Sequence, residues 1–91
     1  MLESVLDKKV IDYLKKNSVY FFKTIASNRA GIPDIICCVN GKFKAIELKT
    51  TSKQSDLQKL EQVKIEKSGG QYLLLYHTDN WKEILSAYLL K

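Results

Sequence analysis

Asp34, Glu47 and Lys49 are the residues whose types and spacing best fit shared chemistry. Gly31-Ile32-Pro33-Asp34 runs into the apolar segment Ile35-Ile36-Cys37-Cys38-Val39, Asn40-Gly41 follows, and residues 42–49 lead back. Asn-Gly between two such runs favours a type I′ hairpin turn, which needs positive φ at both central residues. A two-residue loop pairs Val39 with Lys42, and stepping outward one pair at a time brings Asp34 opposite Glu47. The parity of those steps makes this a non-hydrogen-bonded pair, with Cβ atoms about 4.5–5.5 Å apart. Two carboxylates so close repel unless something positive sits between them. Side chains alternate along a strand, so Lys49 shares the face of Glu47. The spacing predicts two carboxylates and an ammonium converging at one end of a hairpin, a metal site beside a cation.

Taken singly, each residue has a plainer account: Asp34 as a turn residue after Pro33, Glu47 and Lys49 as a solvated strand end. Taken together they flank a strand that is apolar on both faces and reads as interior, where charge is costly unless paired or bound to metal. Carboxylate oxygens are hard ligands, suited to Mg²⁺ or Mn²⁺.

The elements that must position these residues are legible on either side. Leu6, Val10, Tyr13 and Leu14 form one apolar stripe, predicting an amphipathic helix over residues 3–16 that ends at Asn17-Ser18. Residues 19–25 are β-branched and aromatic and read as a first strand. A polar loop over 27–31 then precedes the hairpin strands, 34–39 and 42–49. Ser55-Asp56-Leu57-Gln58 matches a capping box opening a helix to about Lys67, closed by Ser68-Gly69-Gly70. Residues 71–77 read as a buried fourth strand. Trp81, Ile84, Leu85, Tyr88 and Leu89 mark a final amphipathic helix. The order α-β-β-β-α-β-α predicts a mixed α+β sheet, with a strand–helix–strand crossover making the last two strands parallel. Tyr20, Phe21, Phe22, Tyr72 and Trp81 are expected in the core, and His77 in a structural or surface role.

Ninety-one residues, 45% of them hydrophobic, bound a single globular domain over 1–91. Fifteen Lys and Arg against ten acidic residues give a net charge of +5, which fits a polyanionic partner. The lysines at 8, 9, 15 and 16 equally fit a solvated helix face. No apolar run approaches a membrane span. The adjacent Cys37 and Cys38 point to opposite faces of their strand and are expected as free thiols of a reducing compartment. One histidine and no CxxC spacing argue against zinc.

Pro33-Asp34 followed by Glu47-Leu48-Lys49, with Glu47 13 residues after Asp34, resembles the PD-(D/E)xK nuclease signature. With Gly31-Ile32 before it, the Gly41-Lys42-Phe43 strand, Gln58 and Gly69-Gly70, the chain resembles the small stand-alone VRR-NUC nucleases over about residues 3–77. That resemblance implies an α/β, restriction-endonuclease-like α-β-β-β-α-β core with a C-terminal helix. It implies a Mg²⁺- or Mn²⁺-dependent endodeoxyribonuclease acting on branched DNA, resolving four-way Holliday junctions as a homodimer. No organic cofactor or membrane enters this picture, and the setting is the cytoplasm of a bacterial or phage-infected cell. Alternatives are a monomeric flap or nicking nuclease, a non-catalytic DNA-binding module of the same fold, or an interaction domain whose acidic pair holds a structural cation.

By the same resemblance, Asp34, Glu47, the Leu48 backbone carbonyl and Glu3 would hold the metal, Lys49 would be the catalytic lysine, and Gln58 would complete the catalytic set. Asp7 rivals Glu3 for the helix-borne carboxylate, and both also suit a helix N-terminus electrostatically. Gln58 serves equally as the third residue of its capping box. Lys23, Ser27, Asn28 and Arg29 are candidate DNA contacts. A dimer interface is expected on the exposed parts of the first and last helices, around Trp81, Leu85, Tyr88 and Leu89, unless that stripe packs on its own sheet.

Overall fold

The computed structural model describes residues 3–91. Its elements are α1 (Glu3–Lys16), β1 (Tyr20–Lys23), β2 (Ile35–Val39), β3 (Lys42–Lys49), α2 (Asp56–Lys67), β4 (Gln71–Tyr76) and α3 (Trp81–Leu90). One mixed sheet in the order β1-β2-β3-β4 results, antiparallel through β3 and parallel between β3 and β4. Asn40 and Gly41 have φ of 52° and 76°, and the register runs from Val39↔Lys42 to Ile35↔Ile46. The turn therefore sets which residues of β3 meet the start of β2.

β1 is shorter than the expected 19–25, because its partner strand begins only at Ile35, opposite Lys23. The last link is Thr24, whose N–H donates to the Asp34 carbonyl at 2.9 Å and whose hydroxyl donates to the Pro33 carbonyl at 2.6 Å. α2 opens on the expected capping box at Ser55. It closes with Gly69 at φ 92°, Gly70 N–H donating to the Ile65 carbonyl and Gly69 N–H to that of Glu66. This is the left-handed cap that glycine permits.

The core lies on one face of the sheet. Leu6, Val10 and Leu14 of α1, with Trp81, Leu85, Tyr88 and Leu89 of α3, close over Ile35, Cys37, Ile46, Leu48 and Leu75. Each fully buried leucine-sized side chain stabilises by about 1.5–3 kcal/mol. Strand parity also carries Lys44 into this core. Its ammonium donates to the Tyr88 carbonyl at 2.8 Å and to Gln71, and lies 4.8 Å from the Tyr88 ring centre. A cation there complements the C-terminal end of the α3 dipole, while burial pushes its pKa below the ordinary lysine value.

Four expectations change. The Trp81, Leu85, Tyr88 and Leu89 stripe is not an interface, since all four are buried within the chain. Tyr20 and Phe22 are not core but 69% and 51% exposed: they lie on the face of β1 opposite α1, which no helix among the described residues covers there. β2 is interior in strand order yet buries only one face, leaving Ile36 half-buried and Cys38 exposed. β4 is an edge strand and mostly half-buried. Phe21 and Trp81 pack in or against the core as expected. Among the described residues no helix is long and apolar enough to cross a membrane.

α2 lies over the other face of β3 and β4. There Gln58 reaches Glu47, and Gln54 donates to the Tyr72 hydroxyl at 3.1 Å. That helix buries Glu61 and leaves Leu57, Leu60 and Val63 about half exposed.

Candidate metal centre

Asp34 stands one residue before β2 and is held from both sides. Pro33 is fully buried behind it, Thr24 holds its carbonyl, and the Leu48 N–H donates to its Oδ2 at 2.8 Å. The Leu48 side chain meanwhile sits in the core, on the face away from the site. Glu47 continues the register opposite Asp34 and is only 2% exposed. Burial first, and then the Asp34 carboxylate, push its pKa from 4.5 up to about 8, against the opposing pull of Lys49. Lys49 is half-buried on the Glu47 face of β3, and its carbonyl accepts the His77 N–H at 3.1 Å, tying down the strand end.

Gln58 does both things its position allows. Its Oε1 accepts the Ser55 N–H at 2.8 Å, completing the capping box, while its Nε2 donates to Glu47 Oε2 at 2.8 Å. The cap fixes the side chain that then fixes the carboxylate. Among the described residues, Glu47 Oε1 is buried with no hydrogen-bond partner. An unpaired buried carboxylate oxygen costs several kcal/mol, a cost that protonation or a further positive partner would relieve.

α1 supplies the third carboxylate, from Glu3. One oxygen each of Glu3, Asp34 and Glu47 lie within 4.8 Å of one another. Glu3 is solvent-exposed although it continues the apolar stripe of α1. Asp7, one turn further, instead accepts an ion pair from Lys23, which keeps its ammonium protonated to higher pH. Lys23 and Asp7 nevertheless share a cleft of about 190 Å³ with Glu3, Ser4, Asp34 and Leu48. Lys23 is thus part of the site's wall, held there by its ion pair with Asp7 and still about half exposed.

The loop residues divide. Ser27 and Asn28 are exposed and contact each other, Ser27 Oγ lying 3.4 Å from Asn28 Oδ1. Arg29, expected as a DNA contact, commits its guanidinium to Glu61, with Nε and one terminal nitrogen each 3.1 Å from a carboxylate oxygen. Sequence reasoning missed that pair and the Asp7–Lys23 pair. A signal for the first existed: in α2 the residues at i, i+3, i+4 and i+7 are Gln58, Glu61, Gln62 and Ile65, so the helical stripe facing the sheet is mostly polar.

The donor set is three carboxylates, one carrying a buried unpartnered oxygen, and suits one hard divalent cation completed by water. Lys49 places a fixed positive charge beside it. No protein-family model, curated protein or solved structure matches this chain.

Proposed function

We propose that the chain is a Mg²⁺- or Mn²⁺-dependent endonuclease hydrolysing phosphodiester bonds in branched cytoplasmic DNA. The observation that carries this reading is the buried, unpartnered Glu47 oxygen converging with Asp34 and Glu3 beside Lys49. Asp34, Glu47 and Glu3, with the Leu48 carbonyl, would hold the ion. Once bound, it would supply Lewis-acid polarisation of the scissile phosphate and a lowered water pKa. The chain's own residues do the rest. Gln58 holds Glu47 Oε2 so that Oε1 stays directed into the site. Lys49 orients the attacking water and stabilises negative charge growing on the phosphate. Lys23, held by Asp7, gives the opposite wall a fixed cation that a phosphate oxygen can approach.

Four-way junctions are the proposed substrate, cut symmetrically by two copies of the chain. An isologous interface fits the open face of β1 and β2, where Tyr20, Phe22, Ile36 and Cys38 form adjoining apolar rows with no charged side chain among them. Exposed apolar surface on an edge strand needs cover. In a chain of net charge +5, an uncharged face suits a second protein copy better than phosphates. Phe22→Asp is expected to convert a micromolar dimer to monomer in sedimentation while circular dichroism stays native. A wild-type monomer, free and junction-bound, would instead favour a flap or nicking nuclease.

The deciding assay incubates the purified chain with four-way-junction, flap and duplex DNA, with Mg²⁺, Mn²⁺ or EDTA. Metal-dependent cleavage of the junction is expected. DNA binding without cleavage in any metal would leave a binding module. Affinity for the junction, measured in Ca²⁺ or EDTA, is expected to fall at least about tenfold between 50 and 200 mM salt. Salt-independent binding would contradict a phosphate-dominated interface.

A further inference from the structure

We infer that Arg29 and Glu61, which hydrogen-bond to none of the proposed metal ligands, are positioning residues that set the separation of the loop bearing Asp34 from the helix that holds Glu47. The inference rests on the catalytic reading of Asp34 and Glu47, but its geometry does not. Asp34 arrives on the loop that crosses α2, and Glu47 is held from α2 by Gln58. The hairpin register sets the level at which Asp34 and Glu47 meet, and the separation of that loop from that helix tunes how closely their carboxylates approach.

Apolar burial does little to set this separation. The only buried residue of α2 is Glu61, while Leu57, Leu60 and Val63 are 53%, 49% and 44% exposed. The helix is held to the site by polar contacts: Gln58 to Glu47, Glu61 to Arg29, and Gln62 through Gln54, just before the helix, to Tyr72. One of them, together with a close backbone approach, brackets the loop. Gly31, at φ 85°, lies so close to the first turn of α2 that a Cβ there would stand 2.6 Å from the Leu57 carbonyl oxygen. Two residues earlier, Arg29 makes its two-pronged contact with Glu61, one turn along the helix from Gln58. Gly31 sets how near the loop can come; Arg29 and Glu61 keep it there.

Glu61 is built for this partner. It is 4% exposed, both of its oxygens accept from Arg29, and Lys64 lies 3.6 Å away. The guanidinium holds the carboxyl below the usual glutamate range. A planar fork matched to a carboxylate fixes distance and direction together, which a lysine would not do.

Two readouts need neither metal nor DNA. The Leu48 amide is bonded to Asp34 Oδ2 and reports the loop end, and the Gln58 side-chain amide is bonded to Glu47 and reports the helix end. Amide exchange by NMR in EDTA is expected to show both protected in the wild type and both exposed in Arg29→Met and in Glu61→Gln. Arg29→Lys, a mild change at an exposed position, should lose less protection than Arg29→Met. Mn²⁺ affinity by calorimetry should fall about ten- to a hundredfold in Arg29→Met and Glu61→Gln alike.

Unchanged protection at both amides in either variant would overturn the inference. So would Arg29→Met weakening DNA binding in EDTA while leaving both amides and Mn²⁺ affinity unaltered, which would make Arg29 a phosphate contact. A wild-type chain that binds no Mn²⁺ would defeat the proposed function instead, and the two amides would still decide the role of the pair.

Discussion

Glu47→Gln is expected to abolish metal-dependent cleavage while making the metal-free protein more stable at pH 8. The rate should fall by about 10³-fold or more, because the variant removes a charged ligand from the proposed catalytic ion. The stability gain follows from linkage. Burial and the Asp34 carboxylate hold Glu47 near pKa 8 instead of 4.5, so the fold favours its protonated form. Between pH 4.5 and about 8 the native chain carries more protons than the unfolded one, and metal-free stability falls as pH rises across that window. The loss is on the order of a few kcal/mol, or roughly 10–30 °C in Tm for a chain of this size. A neutral glutamine does not titrate and escapes it.

Thermal melts in EDTA should therefore show wild type and Glu47→Gln close together near pH 5 and separating toward pH 9. Added Mg²⁺ should stabilise only the wild type, increasingly so at higher pH, because metal binding requires the ionised carboxylate. Asp34→Ala should likewise lose cleavage and flatten the pH dependence of metal-free stability, since it removes a like-charge neighbour, but the Leu48 N–H left without its acceptor offsets any net gain. Parallel melting curves at all pH values, or full activity in either variant, would remove these residues from the site.

Lys49→Ala is expected to lower the rate about 10²–10³-fold with little change in metal affinity. The ammonium acts on the phosphate and the water in this scheme, and coordinates nothing. Lys49 also favours ionisation of Glu47, so the metal titration belongs at pH 9, where Glu47 is ionised in the wild type. A variant that binds metal weakly but recovers the full rate at saturating Mn²⁺ would show that the lysine serves only to ionise Glu47.

What could be read without a structure was local. Asn40-Gly41 sets its own dihedral angles, and strand parity then brings Asp34 and Glu47 to one level whatever packs around them. Ser55 and Gln58 lie three residues apart, so the start of α2 was equally legible. Alternation along β3 sent Glu47 to one face and Leu48 to the other, and the structure keeps that division.

The remaining features depend on segments far apart in the chain, where residue type sets no geometry. Glu3 and Asp7 sit one turn apart on α1, and only the lie of that helix across the sheet brings Glu3 to Asp34 and Glu47 and leaves Asp7 to Lys23. Periodicity marks the α3 stripe and the faces of β1 and β2 alike as apolar, but it carries no information on which of them another layer covers. Tertiary packing buried the first within the chain and left Tyr20 and Phe22 open. Arg29 and Glu61 are 32 residues apart, and nothing local requires them to meet. Sequence alone determined the hairpin register and the chemistry of its ends; tertiary structure decided which third carboxylate joins them and which polar contacts hold α2 over the site.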